Sequence, residues 1–422
     1  MQMDSCKECG IENYTNLDNS LFQWCEVCDP KKLQAKFGEW TSGNKLIDEF
    51  IQQTQLHTNL YDTYLEWIEP SELSNVNHLE DGGFGSVYTA TWSKGIRIYL
   101  KDKNCSHSIL HNQVRTGPCT VALKTLNRLQ TNIADIINEV KANFTCQHAL
   151  FGISMVIGIT KHPYTHEYAF VMWYYDKGNL RSTFKAEKGS IKWSNCVDSL
   201  YQIAIGLRSI HEKGWIHRDL HSGNVLTGDP TISALPDTHI GFVTISDFGL
   251  CKHINHGENE EDGKYGVIPY MAPELFDKDQ QHTQASDIYA LGIIMWELSA
   301  REPAFQNRGH DINLICDICN GLRPSIPHCT PSCWTELMQK CWSEDPSRRP
   351  TASEIIITIR DWYGAQGLKD NIKQQFEDAQ IYREKQLTQM HERDPGAIYT
   401  SRLIPHVTKE MVLSRRLGDV TK

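Results

Sequence analysis

Gly214–Leu226 reads GWIHRDLHSGNVL, and Gly241–Gly249 reads GFVTISDFG. Each is an apolar run, readable as a strand, that ends in a polar loop; Asp219 and Asn224 follow the first and Asp247 the second. Acidic and amide oxygens converging from adjacent loops make an oxygen-rich site suited to Mg²⁺, with one further carboxylate left to accept a proton. Met271–Glu274 (MAPE) closes the long loop that follows Gly249.

Working outward, Leu79–Tyr88 reads LEDGGFGSVY. Small residues between two extended segments let a hairpin turn approach a ligand and aim N–H groups at anionic oxygens, although such a turn is by itself a weak signal. Lys124 lies in the apolar strand VALKTL, Val121–Leu126. An ammonium there needs a permanent partner or an anionic ligand, and Glu139 in the helical stretch Asp135–Ala142 is the candidate partner. Gly82–Ala90, Thr120–Leu126 and Tyr168–Trp173 have strand texture, whereas Asn195–His211, Ser286–Ala300 and Trp334–Trp342 have helical spacing. The body is thus strand-rich first and helix-rich second.

With these elements in order, residues 70–363 resemble a eukaryotic protein kinase catalytic domain. The matching residues are the Gly-rich loop at 82–85 with Val87, then Lys124, Glu139, His217-Arg218-Asp219 with Asn224, Asp247-Phe248-Gly249 and Ala272-Pro273-Glu274. Ser286–Gly292 (SDIYALG) and Cys341–Pro350 match as well, and Arg349 fits the family arginine that pairs with Glu274. The resemblance implies an α+β, bilobal protein-kinase fold: an antiparallel sheet with one helix, then a mainly helical lobe.

It also implies ATP and Mg²⁺. Leu79, Gly82, Gly83, Phe84, Gly85, Val87, Ala122 and Leu226 would line the nucleotide, with Trp173 and Tyr175 in the hinge and Met172 guarding the back pocket. Lys124 would pair with phosphates and Glu139 would hold Lys124; Asn224 and Asp247 would hold Mg²⁺, and Asp219 would accept or orient the substrate hydroxyl. Gly321–Pro327 (GLRPSIP) resembles the tyrosine-kinase-like group. Leu220-His221-Ser222-Gly223 and Tyr270 stand where tyrosine kinases usually carry an Arg-containing loop and a Trp, so serine/threonine specificity is expected. Glu80, His221 and Val267 depart from the family pattern and motivate the alternative, a nucleotide-binding pseudokinase acting as a signalling scaffold. The loop Leu250–Gly266 carries Tyr265 but no Ser or Thr; its acidic run Glu258, Glu260, Glu261 and Asp262 reads either as a solvated loop or as a phosphate-like partner for Arg218.

The 422 residues include 42 basic and 52 acidic side chains, a formal charge of −10, so no global basic field favours nucleic acid or an anionic membrane. No apolar stretch reaches the roughly 18 residues of a spanning helix, and Met1–Gly10 lacks a secretory pattern. A soluble, cytoplasmic protein is expected, the nucleus remaining open. In a reducing compartment its 14 cysteines form no disulfide framework. Cys6-x-x-Cys9 and Cys25-x-x-Cys28 have the spacing of a structural Zn²⁺ ribbon. Cys316, Cys319, Cys329 and Cys333 read instead as ordinary thiols on packed helices.

The expected division is a zinc ribbon at 1–32, a helical linker at 33–69, the kinase domain at 70–363 and a charged C-terminal tail at 364–422. Lys369–Arg393 reads as an exposed helix or partly disordered, Ala397–Ile404 as a segment able to dock back, and the insertions Arg97–Cys119 and Thr227–His239 as surface loops. A protein substrate is expected, together with a protein partner at the ribbon or the tail.

Overall fold

The computed structural model describes residues 9–10, 25, 27–58, 64–81, 85–99, 113–125, 133–147, 152–186, 191–228, 242–255, 264–328, 330–364, 367–385, 392–405 and 407–418. The chain folds as two compact units, one comprising residues 1–144, 155–174 and 230–235, the other 145–154, 175–229 and 236–422.

The first unit contains helices α1 (Cys28–Gln34), α2 (Lys45–Leu56) and α3 (Ile133–Cys146). Its main sheet is built from β1 (Glu66–Trp67), β2 (Leu73–Asp81), β3 (Ser86–Trp92), β6 (Cys119–Thr125), β8 (Val156–Lys161) and β9 (Tyr168–Trp173). They pair in the order β1-β8-β9-β6-β3-β2, antiparallel except where β1 joins β8. Successive strand residues face opposite sides, and burial follows that period. Val121, Leu123, Ala169 and Val171 join Leu73 and Trp92 in one cluster. Phe170 and Ile159 belong to the other, with Ile136 and Val140 of α3 and Ile47 and Ile51 of α2.

One expectation gains detail here and one changes. The helical bridge includes α2, which is capped by Asn44 and seats Ile47 and Ile51, both fully buried, in the cluster that carries α3. The insertion Arg97–Cys119, expected as a surface loop, begins and ends as a hairpin of β4 (Arg97–Tyr99) with β5 (Gln113–Arg115). Arg97 is buried, stacks 3.6 Å over the Tyr64 ring and meets Glu66 at 3.3 Å, while Arg115 meets the other Glu66 oxygen at 2.6 Å. One carboxylate shared by two guanidinium groups anchors the insertion where a charged loop would otherwise stay solvated.

The second unit is mainly helical: α4 (Leu180–Ala186), α5 (Trp193–Glu212), α6 (Gln284–Ala300), α7 (Ile312–Cys319), α8 (Ser332–Cys341), α9 (Ala352–Trp362), α10 (Asp370–Lys385) and α11 (Lys409–Gly418). Every residue of α6 from Ser286 to Ser299 is buried, the mark of a core helix that is enclosed all round. β7 (Gly152–Ile153) pairs with β12 (Phe242–Ile245), and β12 with β11 (Val225–Gly228). Gly152, at φ 92°, lies so close to Gly206 of α5 that a Cβ on Gly206 would sit 2.0 Å from the Gly152 oxygen. β10 (Trp215–Ile216) pairs with β13 (Lys252–His253), β14 (Tyr265–Gly266) with β17 (Arg402–Leu403), and β15 (Tyr363–Gly364) with β16 (Gly367–Leu368). Cys316 and Cys341 are buried thiols of α7 and α8, and burial pushes Cys341 up to about 12; Cys329 lies outside the described residues.

Within the charged segment at 369–393 the expected helix forms as α10, largely exposed but with one buried face. Phe376, Ala379 and Arg383 of α10 are buried, and Phe376 joins the rings of Trp193, Trp334 and Trp362 at centroid distances of 5.3 to 6.3 Å. Arg383 lies 4.1 Å over the Trp193 ring and donates to the Leu298 and Ser299 carbonyls at 3.2 and 2.9 Å. These are end carbonyls of α6, where the helix dipole favours a cation.

Candidate functional site

In the first unit the register places Val87, Ala122, Lys124 and Met172 of the expected nucleotide site on one sheet face. Val87 lies opposite Lys124, Ala122 opposite Met172, and Lys124 opposite Phe170, whose side chain belongs to the α3 cluster. Lys124 therefore faces α3, and its Nζ donates to Glu139 Oε1 at 2.6 Å with both side chains about nine-tenths buried. Glu80, the departure at the Gly-rich loop, is solvent-exposed opposite Val87, and Leu79 beside it is exposed. Trp173 is partly buried. Gly82, Gly83 and Phe84 lie outside the described residues; Gly85 begins the return into β3.

In the second unit β11 and β12 carry the two oxygen-rich loops side by side. Val225 opposes Ile245, and the Ser246 N–H and hydroxyl both donate to the Asn224 carbonyl, at 2.8 and 3.0 Å. This puts Asn224 and Asp247 at neighbouring ends of the ladder. The Asn224 amide donates to the Asp219 carbonyl at 2.9 Å and to Asp219 Oδ2 at 3.3 Å, so its oxygen points the other way. Asp247 has φ 62° and Arg218 φ 70°, left-handed conformations that few residues with a Cβ adopt. Asp247 Oδ1 accepts the Gly249 N–H at 3.2 Å. Leu226 is half-buried on β11, whereas Tyr175 is buried in this unit, and burial pushes its phenol up to about 12.

The loop bearing Asp219 is clamped from beneath. Asp287, at the first turn of α6, accepts the His217 N–H at 2.8 Å, the Arg218 N–H at 3.0 Å and His211 Nε2 at 2.9 Å. Burial works to raise the Asp287 carboxyl, but the His211 hydrogen bond and the neighbouring charges outweigh it and hold the group below the usual carboxylate range. His217 is wholly buried, which lowers its affinity for a proton; its Nδ1 accepts the Asp219 N–H at 3.3 Å and its Nε2 faces the Ser246 carbonyl at 3.1 Å. His217 is thus a packed residue of its loop.

His221 is buried beside Asp219. Its Nδ1 accepts the Gly223 N–H at 3.0 Å and faces Arg181 Nη2 at 3.5 Å. With donors on that side, the ring proton of neutral His221 belongs on Nε2, which lies 3.7 Å from Asp219 Oδ2. Beyond it runs a polar chain that the motifs do not signal: Ser222 Oγ meets Tyr270 Oη at 2.9 Å, and Tyr270 Oη donates to Glu297 Oε1 at 2.6 Å. Burial raises the Glu297 carboxyl, opposed by Arg181. Nothing in the sequence spacing singles out Arg181, since it lies 40 residues from His221.

Arg349 grips Glu274 with two hydrogen bonds of 2.6 and 2.7 Å, as the family arginine should. At the N-terminal end, the sulfurs of Cys9, Cys25 and Cys28 lie within 4.8 Å of one another, Cys9 and Cys25 at 3.5 Å. Tetrahedral zinc with Zn–S bonds of about 2.3 Å sets its sulfurs roughly 3.8 Å apart, so this donor set fits the ion. Cys6 and the acidic run 258–262 lie outside the described residues.

An α+β body with the Lys124–Glu139 pair, the clamped Asp219 loop and the Asp247 turn defines a protein-kinase catalytic domain. A model of the protein tyrosine and serine/threonine kinase family matches residues 73–359, more than half of the 422, and the chain belongs to that family. A probable serine/threonine-protein kinase of Dictyostelium discoideum is 28% identical over 345 residues, 75% of this chain and 21% of the relative. Receptor-interacting serine/threonine-protein kinase 1 of Homo sapiens is 32% identical over 325 residues, 73% of this chain and 43% of the relative. Tyrosine-protein kinase TXK of Homo sapiens is 25% identical over 304 residues, 71% of this chain and 50% of the relative. The chain thus spans half or less of the length of each of these relatives. Among the described residues no helix is long and apolar enough to cross a membrane.

Proposed function

We propose that the chain is an active protein kinase of the tyrosine-kinase-like group, transferring the γ-phosphoryl group of ATP to serine or threonine hydroxyls of a protein. The observation that supports this reading is a pair of contacts, Lys124 on Glu139 at 2.6 Å and the Asn224 amide on the Asp219 carbonyl at 2.9 Å. Lys124 neutralises phosphate oxygens, and Glu139 fixes the ammonium for that task. Asp219 takes the proton of the attacking hydroxyl as the new P–O bond forms. His221 Nε2–H adds a donor facing that carboxylate, in the place of the lysine that serine/threonine kinases commonly carry.

The Asn224 and Asp247 oxygens, a hard-donor set, suit Mg²⁺, which when bound supplies charge neutralisation at the phosphates. Tyr270 and the loop Leu220–Gly223 support serine/threonine over tyrosine. The kinase body spans about 70–363, with the ribbon and linker before it and the tail after it, in a cytoplasmic protein. Transfer of labelled phosphate to a serine/threonine peptide mixture should fall by about 10²–10⁴ in Asp219→Asn, the range for losing a positioned proton acceptor. Equal background rates for wild type and Asp219→Asn would overturn the enzyme reading.

Cys9, Cys25 and Cys28, with Cys6 as the fourth thiolate, would hold one structural zinc and fold a ribbon of about 32 residues too small for its own core. Extensively dialysed protein should retain about one zinc per chain, and Cys25→Ser should lose it. Zinc-free wild type would refute the ribbon. Its acidic composition favours a protein partner over nucleic acid.

A further inference from the structure

The segment 392–405 lies against the rest of the second unit like a bound peptide. Tyr399 is its anchor: 5% exposed, it donates its hydroxyl to the Ala304 carbonyl at 2.8 Å and packs edge-on against His310 at 4.7 Å. The guanidinium of Arg181 lies 4.7 Å over the Tyr399 ring, and Arg181 Nη1 donates to the Tyr399 carbonyl at 3.0 Å. Three residues on, Arg402 donates to the His310 carbonyl. Arg402 and Leu403 then pair antiparallel with Gly266 and Tyr265, and the Ile404 N–H donates to the Lys264 carbonyl at 2.8 Å.

This strip adjoins the reacting centre. Gly266, the partner of Arg402, borders the same small cavity as Asp219 and His221. Arg181, which holds the Tyr399 carbonyl, also faces His221 Nδ1 at 3.5 Å, and His221 Nε2 stands 3.7 Å from Asp219 Oδ2. A polypeptide that presents a hydroxyl to Asp219 has to cross this neighbourhood, and the chain's own tail already lies on it.

We propose that the strip formed by Arg181, Ala304, His310 and the edge 264–266 is a docking site for an extended peptide of the pattern aromatic-x-x-Arg. The tail is its resident occupant, and a protein substrate enters by displacing it. Strand addition supplies sequence-independent affinity through main-chain bonds, while the Tyr399 and Arg402 positions supply selectivity. A site occupied by an internal ligand shows weaker apparent affinity in proportion to the fraction left open. The inference rests on Asp219 being the catalytic carboxylate, so binding is tested apart from turnover.

The test uses the full chain, its Tyr399→Ala/Arg402→Ala variant, and Ile404→Pro, which removes the N–H donated to Lys264 while leaving Tyr399 intact. A fluorescein-labelled peptide copying residues 394–405 should bind both variants at least about tenfold more tightly than wild type, the effect of opening a site closed nine times in ten. Hydrogen exchange at 264–266 should rise in both variants without peptide and fall again with it. With an exogenous peptide substrate, KM should fall while kcat and the KM for ATP stay unchanged. Tightened binding without turnover in any of the proteins would keep the docking site and reject the kinase reading. A released tail, seen by exchange, with peptide binding no tighter than in wild type would overturn the proposal. So would unchanged melting and exchange in both variants, because the contacts would then not hold the tail.

Discussion

Replacing Lys124 with Met is expected to lower kcat/KM for phosphoryl transfer by about 10²–10³, the loss seen when one preorganised group that stabilises developing charge is removed. The side chain is nearly isosteric, so the sheet face beside Phe170 stays filled, and the change isolates the ammonium. In wild type its Nζ sits 2.6 Å from Glu139, with both side chains about nine-tenths buried. A buried ion pair of this kind is poor evidence for stability, because desolvation offsets much of its Coulomb energy. Its value lies in the fixed direction of the Nζ. Glu139→Gln should therefore reduce transfer less than Lys124→Met, since the cation remains but is held by a neutral amide. Nucleotide affinity measured alongside turnover checks the ordering, and a fully active Lys124→Met protein would rule out the assigned role.

Arg349→Ala should have the largest effect on stability, about 3–5 kcal/mol by chemical denaturation, as expected when one partner of a buried pair is removed. The Arg349 side chain is wholly buried; it grips both oxygens of Glu274, donates to the Ala285 carbonyl at 3.0 Å and to the Ser343 carbonyl at 2.9 Å, and lies 5.2 Å over Tyr289. Truncation leaves a carboxylate and two carbonyls without their donor. Arg349→Lys should recover only part of the loss, because a single ammonium cannot match the planar fork. An unfolding midpoint unchanged in Arg349→Ala would show that Glu274 and the carbonyls are served by water.

Much of the chemistry was legible because it sits in short, ordered motifs: Lys124 meets Glu139, and Arg349 meets Glu274, as their spacing along the family pattern implied. Partners that come from distant sequence and carry no periodic signal are not legible in this way. Ile47 and Ile51 mark an apolar stripe, but the stripe does not name α3 as its cover. Segment 370–385 is so rich in charge that Phe376 and Arg383 look stranded, whereas Arg383 is buried by ending α6. The pairing of 402–403 with 265–266 is two residues long on each side, too brief for any alternation to be visible.

The ring cluster of Trp193, Trp334, Trp362 and Phe376 bears on where the chain can be cut. Three of its members fall inside or near the matched family stretch 73–359, and the fourth, on α10, falls well outside it. A chain cut at the border of the matched stretch would expose the rings that Phe376 covers and leave α10 without its support. The folding unit is therefore longer than the matched stretch, because α10 supplies a ring to the core it covers.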